Sequence, residues 1–296
     1  MEKIEKRRSA SQWAIAWRRF KRNKVALIGF FIVGVYAFIA IAAPLIARYE
    51  PGSVQALFEG AARQPPSLSH PFGTTSEGRD VFSDTVWETR NAFYVGLVAT
   101  GLSIFIALVV GLISGYRLGR VDDSLMRITE VFLLLPGLLI ILLLARVLVL
   151  AIGAGLGLTI IVLILGFFGW PGTARLVRGE VLRVREMEFV QAERSLGAGT
   201  SRIIFRHIFP NILSPVIVIA TLTIAGNILT EAGISFLGFG DVNSVTWGQL
   251  LNIGFVNIVG EWWTEISVGI TLLILVLGFN LLGDGLSDAL NPRLRE

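Results

Sequence analysis

The sequence predicts an all-α integral membrane protein of six transmembrane helices, with both termini in the cytoplasm and a long polar insert between the fourth and fifth helices. Three observations carry that prediction. The 296 residues are 53% hydrophobic and only 16% charged, with a mean hydropathy of +0.69, far from the roughly 25% charge of an average soluble domain. Apolar windows recur at or near the roughly 20 residues that cross a bilayer as a helix. Arginine and lysine are segregated among the intervening loops in the way that fixes orientation.

Residues 1–24 form a basic segment, in which Lys3, Lys6, Arg7, Arg8, Arg18, Arg19, Lys21, Arg22 and Lys24 outweigh Glu2 and Glu5 and place the N-terminus inside. Within it Trp13, Trp17 and Phe20 have the helical spacing of an interfacial helix, with rings at headgroup depth; a basic tail without structure is the alternative. The first span is 25–46. Ala40 and Ala42 offer a small-residue cleavage site, but the apolar run exceeds the core of a secretory signal. Residues 47–90 form an extracytoplasmic segment with more acid than base. It is punctuated by Pro51, Pro65, Pro66 and Pro71 and should fold against the outer surface.

The remaining spans, 91–116, 128–144, 155–170, 212–229 and 266–282, make a five-helix core within 91–290. Arg146 and a run of glycines blur the third and fourth, leaving five spans as the other reading. Pro136 should kink the third, and Arg127 with Glu130 reads as an interfacial anchor. Arg117, Arg120 and Arg127 fall inside, as do the arginines of the insert and Arg293 and Arg295 of the tail, 291–296. Residues 232–265 hold Asp241, Glu261 and Glu265 and no Lys or Arg, so they fall outside. The basic pI is therefore a topology signal and does not indicate nucleic-acid binding.

The insert, 171–210, is the most informative stretch. Phe189, Ala192 and Leu196 share one helical face, Gly197 and Gly199 supply a stop, Thr200 or Ser201 can cap a second short helix, and Pro210 should end it. Two short helices joined by a glycine turn make a knob, suited to docking a soluble partner and passing its motion to the adjoining spans.

Catalytic chemistry finds little support. There are no cysteines, and the two histidines, His70 and His207, fall on opposite sides of the membrane, so they cannot share a metal. A phosphate-binding loop needs a lysine after its glycines, and the last lysine is Lys24. Any ATP, with its Mg, would be bound and hydrolysed by a partner, and no cofactor is expected on this chain. Polar groups within spans merit functional suspicion. Asn227 and Glu231 are one turn apart and are candidates for a translocation path, with helix capping or packing as the alternative for Glu231. Asn280 and Asp284, also one turn apart, sit at the cytoplasmic end and either line that path or bridge helices.

Gln191, Ala192 and Glu193, followed by Gly197 and then Pro210, resemble the Glu-Ala-Ala...Gly...Pro motif of permease subunits of binding-protein-dependent ABC importers. Four further blocks resemble the C-type subunit of the dipeptide/oligopeptide branch: WRRFKRNKVALIGF from Trp17, HPFGTTSEGRDVFS from His70, EAGISFLGFG from Glu231 with Trp247 and Gly248, and NLLGDGLSDALNPRLRE from Asn280. Gln191, Glu193 and Phe209 depart from the motif. The resemblance implies the type I ABC importer permease fold. It also implies partners: a second homologous permease, two ABC ATPases, an extracytoplasmic binding protein and a peptide substrate, with nickel complexes, haem or sugars carried elsewhere in the branch. Gln191, Ala192, Glu193, Arg194, Gly197 and Pro210 would couple to an ATPase. His70, Gly73, Arg79 and Asp80 would serve the outer gate or binding-protein docking, unless their segment only packs. An ion-driven carrier would instead show an inverted repeat with paired broken helices, and a membrane enzyme a cluster of acids, histidines or an activated nucleophile; the sequence shows neither.

Overall fold

The computed structural model describes residues 17–152, 156–241 and 244–290. Its regular structure is helical, with one isolated bridge between Thr74 and Asp80. In order the helices are α1 (Lys24–Ile46), α2 (Gln55–Phe58), α3 (Val81–Arg117), α4 (Gly119–Leu134), α5 (Gly137–Ile152), α6 (Gly157–Phe168), α7 (Trp170–Arg185), α8 (Glu188–Ser195) and α9 (Thr200–Arg202). A π-helical segment (Ile203–Ile208) leads into α10 (Phe209–Phe236), followed by α11 (Trp247–Val256) and α12 (Ile258–Leu290). Among the described residues five units are long and apolar enough to span: α1, α3, Gly157–Arg185, Thr200–Phe236 and α12. The pair α4 and α5, bent by 80°, supplies a sixth as one broken span.

The first span falls where the sequence put it, because Asn23 caps α1 by accepting from the backbone N–H groups of Val25 and Ala26. Most of the interfacial helix and the tail lie outside the described residues. Trp17 and Phe20 stack at 5.8 Å, and Lys21 lies over the Trp17 ring.

Other boundaries need correction. The second span begins ten residues before 91, since Asp80 accepts from the Ser83 N–H and starts α3 at Val81. The third is no continuous helix over 128–144. Pro136 has no N–H, its ring crowds the preceding turn, and the chain breaks there. The fourth runs on to Arg185, because Val177, Val181 and Val184 give α7 a buried stripe through an otherwise polar stretch. The fifth starts at Thr200. Here Pro210 does not end a helix: in the π segment before it, the Phe209 N–H reaches back five residues to the Ile204 carbonyl. That wider turn leaves room for a ring that would clash in an α-helix.

Helices pack closely through small residues, as bilayer-embedded helices do. A Cβ on Gly111 would lie 2.6 Å from Val177, and one on Gly115 2.8 Å from Val181, so α3 and α7 meet almost backbone to backbone. Gly29 of α1 meets Gly278 and Leu282 of α12 in the same manner, and Ala26 fills the space beside Gly285. On the outer side Asp241 accepts from the Leu158 N–H at the start of α6.

Candidate functional site

The polar insert resolves into a knob carried by two spans. Gln191 of α8 donates from Nε2 to the Arg185 carbonyl (3.2 Å) and to Glu186 (3.3 Å). Arg185 in turn donates to the Tyr116 carbonyl (3.0 Å) at the end of α3. Val190 is buried in a cluster with Val184, Ile203, Ile208 and Ile212, which seats α8 on α7 and on the π segment. Glu193 and His207 also approach each other, at 3.7 Å and without a hydrogen bond, with the Phe189 ring 6.4 Å from that of His207.

Gly197 closes α8 as the sequence indicated. Its φ is +78°, the left-handed region that glycine enters without steric cost. The Ala198 N–H bonds the Glu193 carbonyl (3.1 Å) and the Gly197 N–H bonds the Arg194 carbonyl (3.0 Å), the pairing of a Schellman cap. Gly199, not Thr200 or Ser201, precedes the next helical turn, and no side chain caps it. The face of Phe189, Ala192 and Leu196 points to solvent, with Leu196 83% exposed. Arg194 is also exposed, and Pro210 lies at the root of α10. Sequence periodicity found this face but not its direction: one residue, Val190, anchors the helix, and the apolar stripe is left uncovered.

Two sequence profiles match the chain. One, described as the binding-protein-dependent transport system inner membrane component, matches residues 107–296; the other, the N-terminal TM domain of oligopeptide transport permease C, matches residues 11–66. The chain belongs to the first of these families. This permease is 38% identical to the oligopeptide transport system permease protein OppC of Bacillus subtilis, over 100% of the chain and 94% of that protein. It is 40% identical to the dipeptide transport system permease protein DppC of the same organism (98% and 89% covered). It is 33% identical to the glutathione transport system permease protein GsiD of Pectobacterium atrosepticum (96% and 92%). The permease is thus a multi-pass membrane component of a binding-protein-dependent transport system.

A knot of charge beneath the knob was missed by the sequence reading. Arg178 of α7 holds Asp122 of α4 with two bonds of 2.7 and 2.5 Å, and the Ser114 hydroxyl of α3 donates to the same carboxylate. Three helices meet there, beside Leu118, whose φ of 53° and ψ of −176° are strained for a residue with a Cβ. The strong, charge-assisted fork offsets that strain. Fifty-six positions separate Asp122 from Arg178, so no local pattern announces the pair. Glu130 pairs with Arg175 at 3.5 Å, across helices, in place of the expected partner Arg127.

Asn227 and Glu231 share a face of α10, and that face is turned into the subunit. Asn227 donates to Thr100 of α3 (3.0 Å), and Glu231 accepts from Ser235 (2.6 Å). Glu88 of α3 lies within electrostatic reach of Glu231 and accepts from Asn91, and the Trp247 indole N–H donates to the Thr85 carbonyl of α3 (3.1 Å). This buried polar layer ties α3, α10 and α11 together. Glu88 escaped notice because the second span was started three residues too late to include it. Asn280 is half-buried and Asp284 exposed; among the described residues neither side chain has a hydrogen-bond partner.

His70, Gly73, Arg79 and Asp80 come together in a folded outer cap. His70 Nδ1 and Asp80 Oδ2 are 2.7 Å apart and buried, and Tyr49 stacks on the His70 ring. Arg79 pairs with Asp84 at 2.8 Å. Gly73 has a φ of +75°, and a Cβ there would lie 2.5 Å from Trp263 of α12. Glu261, fully buried at a kink in α12, accepts from the Ser76 N–H (3.0 Å). These residues fasten the segment to the ends of α3 and α12, and present little surface of their own.

Proposed function

We propose that this permease is one membrane half of an ATP-driven importer of short peptides, and that the α8 knob seats in a partner ATPase. The observation that carries this reading is the exposed apolar face of Phe189, Ala192 and Leu196 on a base fixed to two spans. Apolar groups gathered on a polar surface mark a contact for another protein. Movement of the seated knob passes to α7 through Gln191 and Arg185, and to α10 through Val190 and the Glu193 to His207 contact, rocking both spans as units. Gln191, standing where the family motif has Glu, serves as an internal tie, while Ala192 and Arg194 are free to meet the partner. The ATPases bind the ATP and Mg.

The relatives named for oligopeptides, dipeptides and glutathione share a peptide backbone, which supports short peptides as the substrate class. In this reading a binding protein delivers the peptide, a second homologous permease completes the path, and two ATPases drive it. The path lies at the junction of the two permeases. Asn227 and Glu231 set the spacing of α3 and α10 behind it, and Asn280 is its polar lining near the cytoplasmic exit.

The test is purification of the tagged permease from its own membranes in mild detergent, as wild type and as the pair Phe189→Asp and Leu196→Asp. The expected result is two ATPases and a second permease with the wild type, and loss of the ATPases alone with the variant. A wild-type chain that purifies without an ATPase would overturn the proposal.

A further inference from the structure

We infer that Arg146, on the uncovered face of α5, lines the outer half of the translocation path and binds the C-terminal carboxylate of the passing peptide. The inference rests on the importer reading and names the group by which the path holds its substrate. Between Glu130 and Arg175, a stretch that takes in α5 and α6, Arg146 is the one ionisable residue. One side of α5 is packed on α6, with Ala145 fully buried and Ile141 and Leu148 beside it. The other side is bare. Leu139, Leu143 and Arg146 follow Pro136 at helical spacings of three and four, so they share a face, and all four residues are exposed. Among the described residues the Arg146 guanidinium has no hydrogen bond or ion pair.

Depth and direction argue against lipid as the neighbour of this face. The broken span runs outward, so Ile152 marks the outer end of α5, and α6 returns from its contact with Asp241 on the outer side. Arg146 lies about 9 Å below that end at 1.5 Å per residue. Its side chain leaves the helix toward the N-terminus, as every helical side chain does, and in α5 that is toward the bilayer interior. Snorkelling to the outer headgroups would require the side chain to double back. The break at Leu135 and Pro136 lies about 24 Å below the same end, within a hydrocarbon layer of about 30 Å. Irregular backbone at that depth is tolerated against protein or a water-filled cavity but not against lipid. A charged side chain within a span is likewise costly in hydrocarbon and marks a route for polar solutes. Since the path lies at the junction of two permeases, a side chain that lines it is uncovered in one permease alone. The donor then names the ligand. A guanidinium offers two parallel N–H groups to a carboxylate, and a linear peptide of any sequence ends in one.

The experiment uses the intact transporter in proteoliposomes with its binding protein. The probes are alanine peptides of two to five residues, each as the free acid and as the C-terminal amide. ATP-driven uptake is compared for wild type, Arg146→Gln and Arg146→Lys. Wild type should carry the acid at least about tenfold faster than the amide. Arg146→Gln should bring the acid down to the rate of the amide, and Arg146→Lys should recover part of the difference. A glutamine variant that slows acid and amide equally, or slows neither, overturns the inference. Loss of the second permease from that variant also overturns it, because the arginine would then belong to the contact between permeases. A readout without transport comes from Arg146→Cys in this cysteine-free chain. Its thiol should react with a charged, water-soluble methanethiosulfonate in the assembled complex, and a thiol that reacts only with a lipid-soluble maleimide overturns the inference as well. A wild-type complex that takes up none of the peptides would instead bring down the importer reading beneath it.

Discussion

Gly29 and Gly34 lie on the same helix, and the same substitution should have opposite effects at the two. A Cβ on Gly29 would stand 2.5 Å from the Leu282 nitrogen, 2.8 Å from the Gly278 carbonyl oxygen and 2.9 Å from the Leu281 carbonyl carbon, all backbone atoms that cannot rotate away. Alanine there must push α1 off α12, an overpacking cost of about 1–3 kcal/mol. At Gly34 nothing lies within 4 Å, so alanine adds only helix propensity, about 1 kcal/mol in its favour. The contrast is about 2–4 kcal/mol between two identical changes. Because the chain has no cysteine, docking of α1 can be read directly. Cysteines at positions 23 and 288, whose native side chains are joined at 3.2 Å, are linked with a short bismaleimide in membranes, and the thermal midpoint is measured in detergent. Gly29→Ala should lower both the cross-linking yield and the midpoint, and Gly34→Ala neither. Equal behaviour of the two variants would refute the backbone-contact argument.

Other consequences can be checked in the same cysteine-free background. Gly197→Ala puts a Cβ at a φ of +78°, costing about 1–2 kcal/mol, and should weaken ATPase copurification; Gly199→Ala, with ordinary backbone and open space around it, should leave it intact. Asp122→Ala strands Arg178 beside the strained Leu118 turn and should cost about 2 kcal/mol, seen as a lower thermal midpoint. Loss of the exposed Glu180 to Arg183 pair by Arg183→Ala should cost no more than about 0.5 kcal/mol. Pro210→Ala removes the ring that the π segment accommodates, so that segment should relax toward α-helix. Spin labels at 196 and 222 would then report a changed distance, and an unchanged one would count against the role given to Pro210.

What the sequence revealed and what it hid follow from the range of each interaction. Apolar windows located the spans because hydrocarbon thickness dictates their length, yet they understated α3, which begins on the Asp80 cap, and the fourth span, which α7 continues on buried valines. The Gly197 stop was legible because a left-handed cap demands one residue type. Pro210 misled because the same ring that ends an α-helix is tolerated after a π turn, and nothing local distinguishes the cases. Arg178 with Asp122, and Glu88 with Glu231, join residues far apart in the chain, so only the packed helices reveal them. His70 and Asp80 are assigned by resemblance to the outer gate or binding-protein docking unless their segment only packs, and only the packed structure shows that they are buried against each other.

The proposed coupling requires the knob closed by Gly197 to meet an ATPase through its exposed face. A single cysteine at Leu196, the most exposed apolar residue of that face, tests it by photo-cross-linking in native membranes, with and without ATP. The expected result is a dominant adduct with an ATPase subunit, whose yield changes when ATP is bound. An adduct confined to lipid or to a second copy of this chain would contradict it.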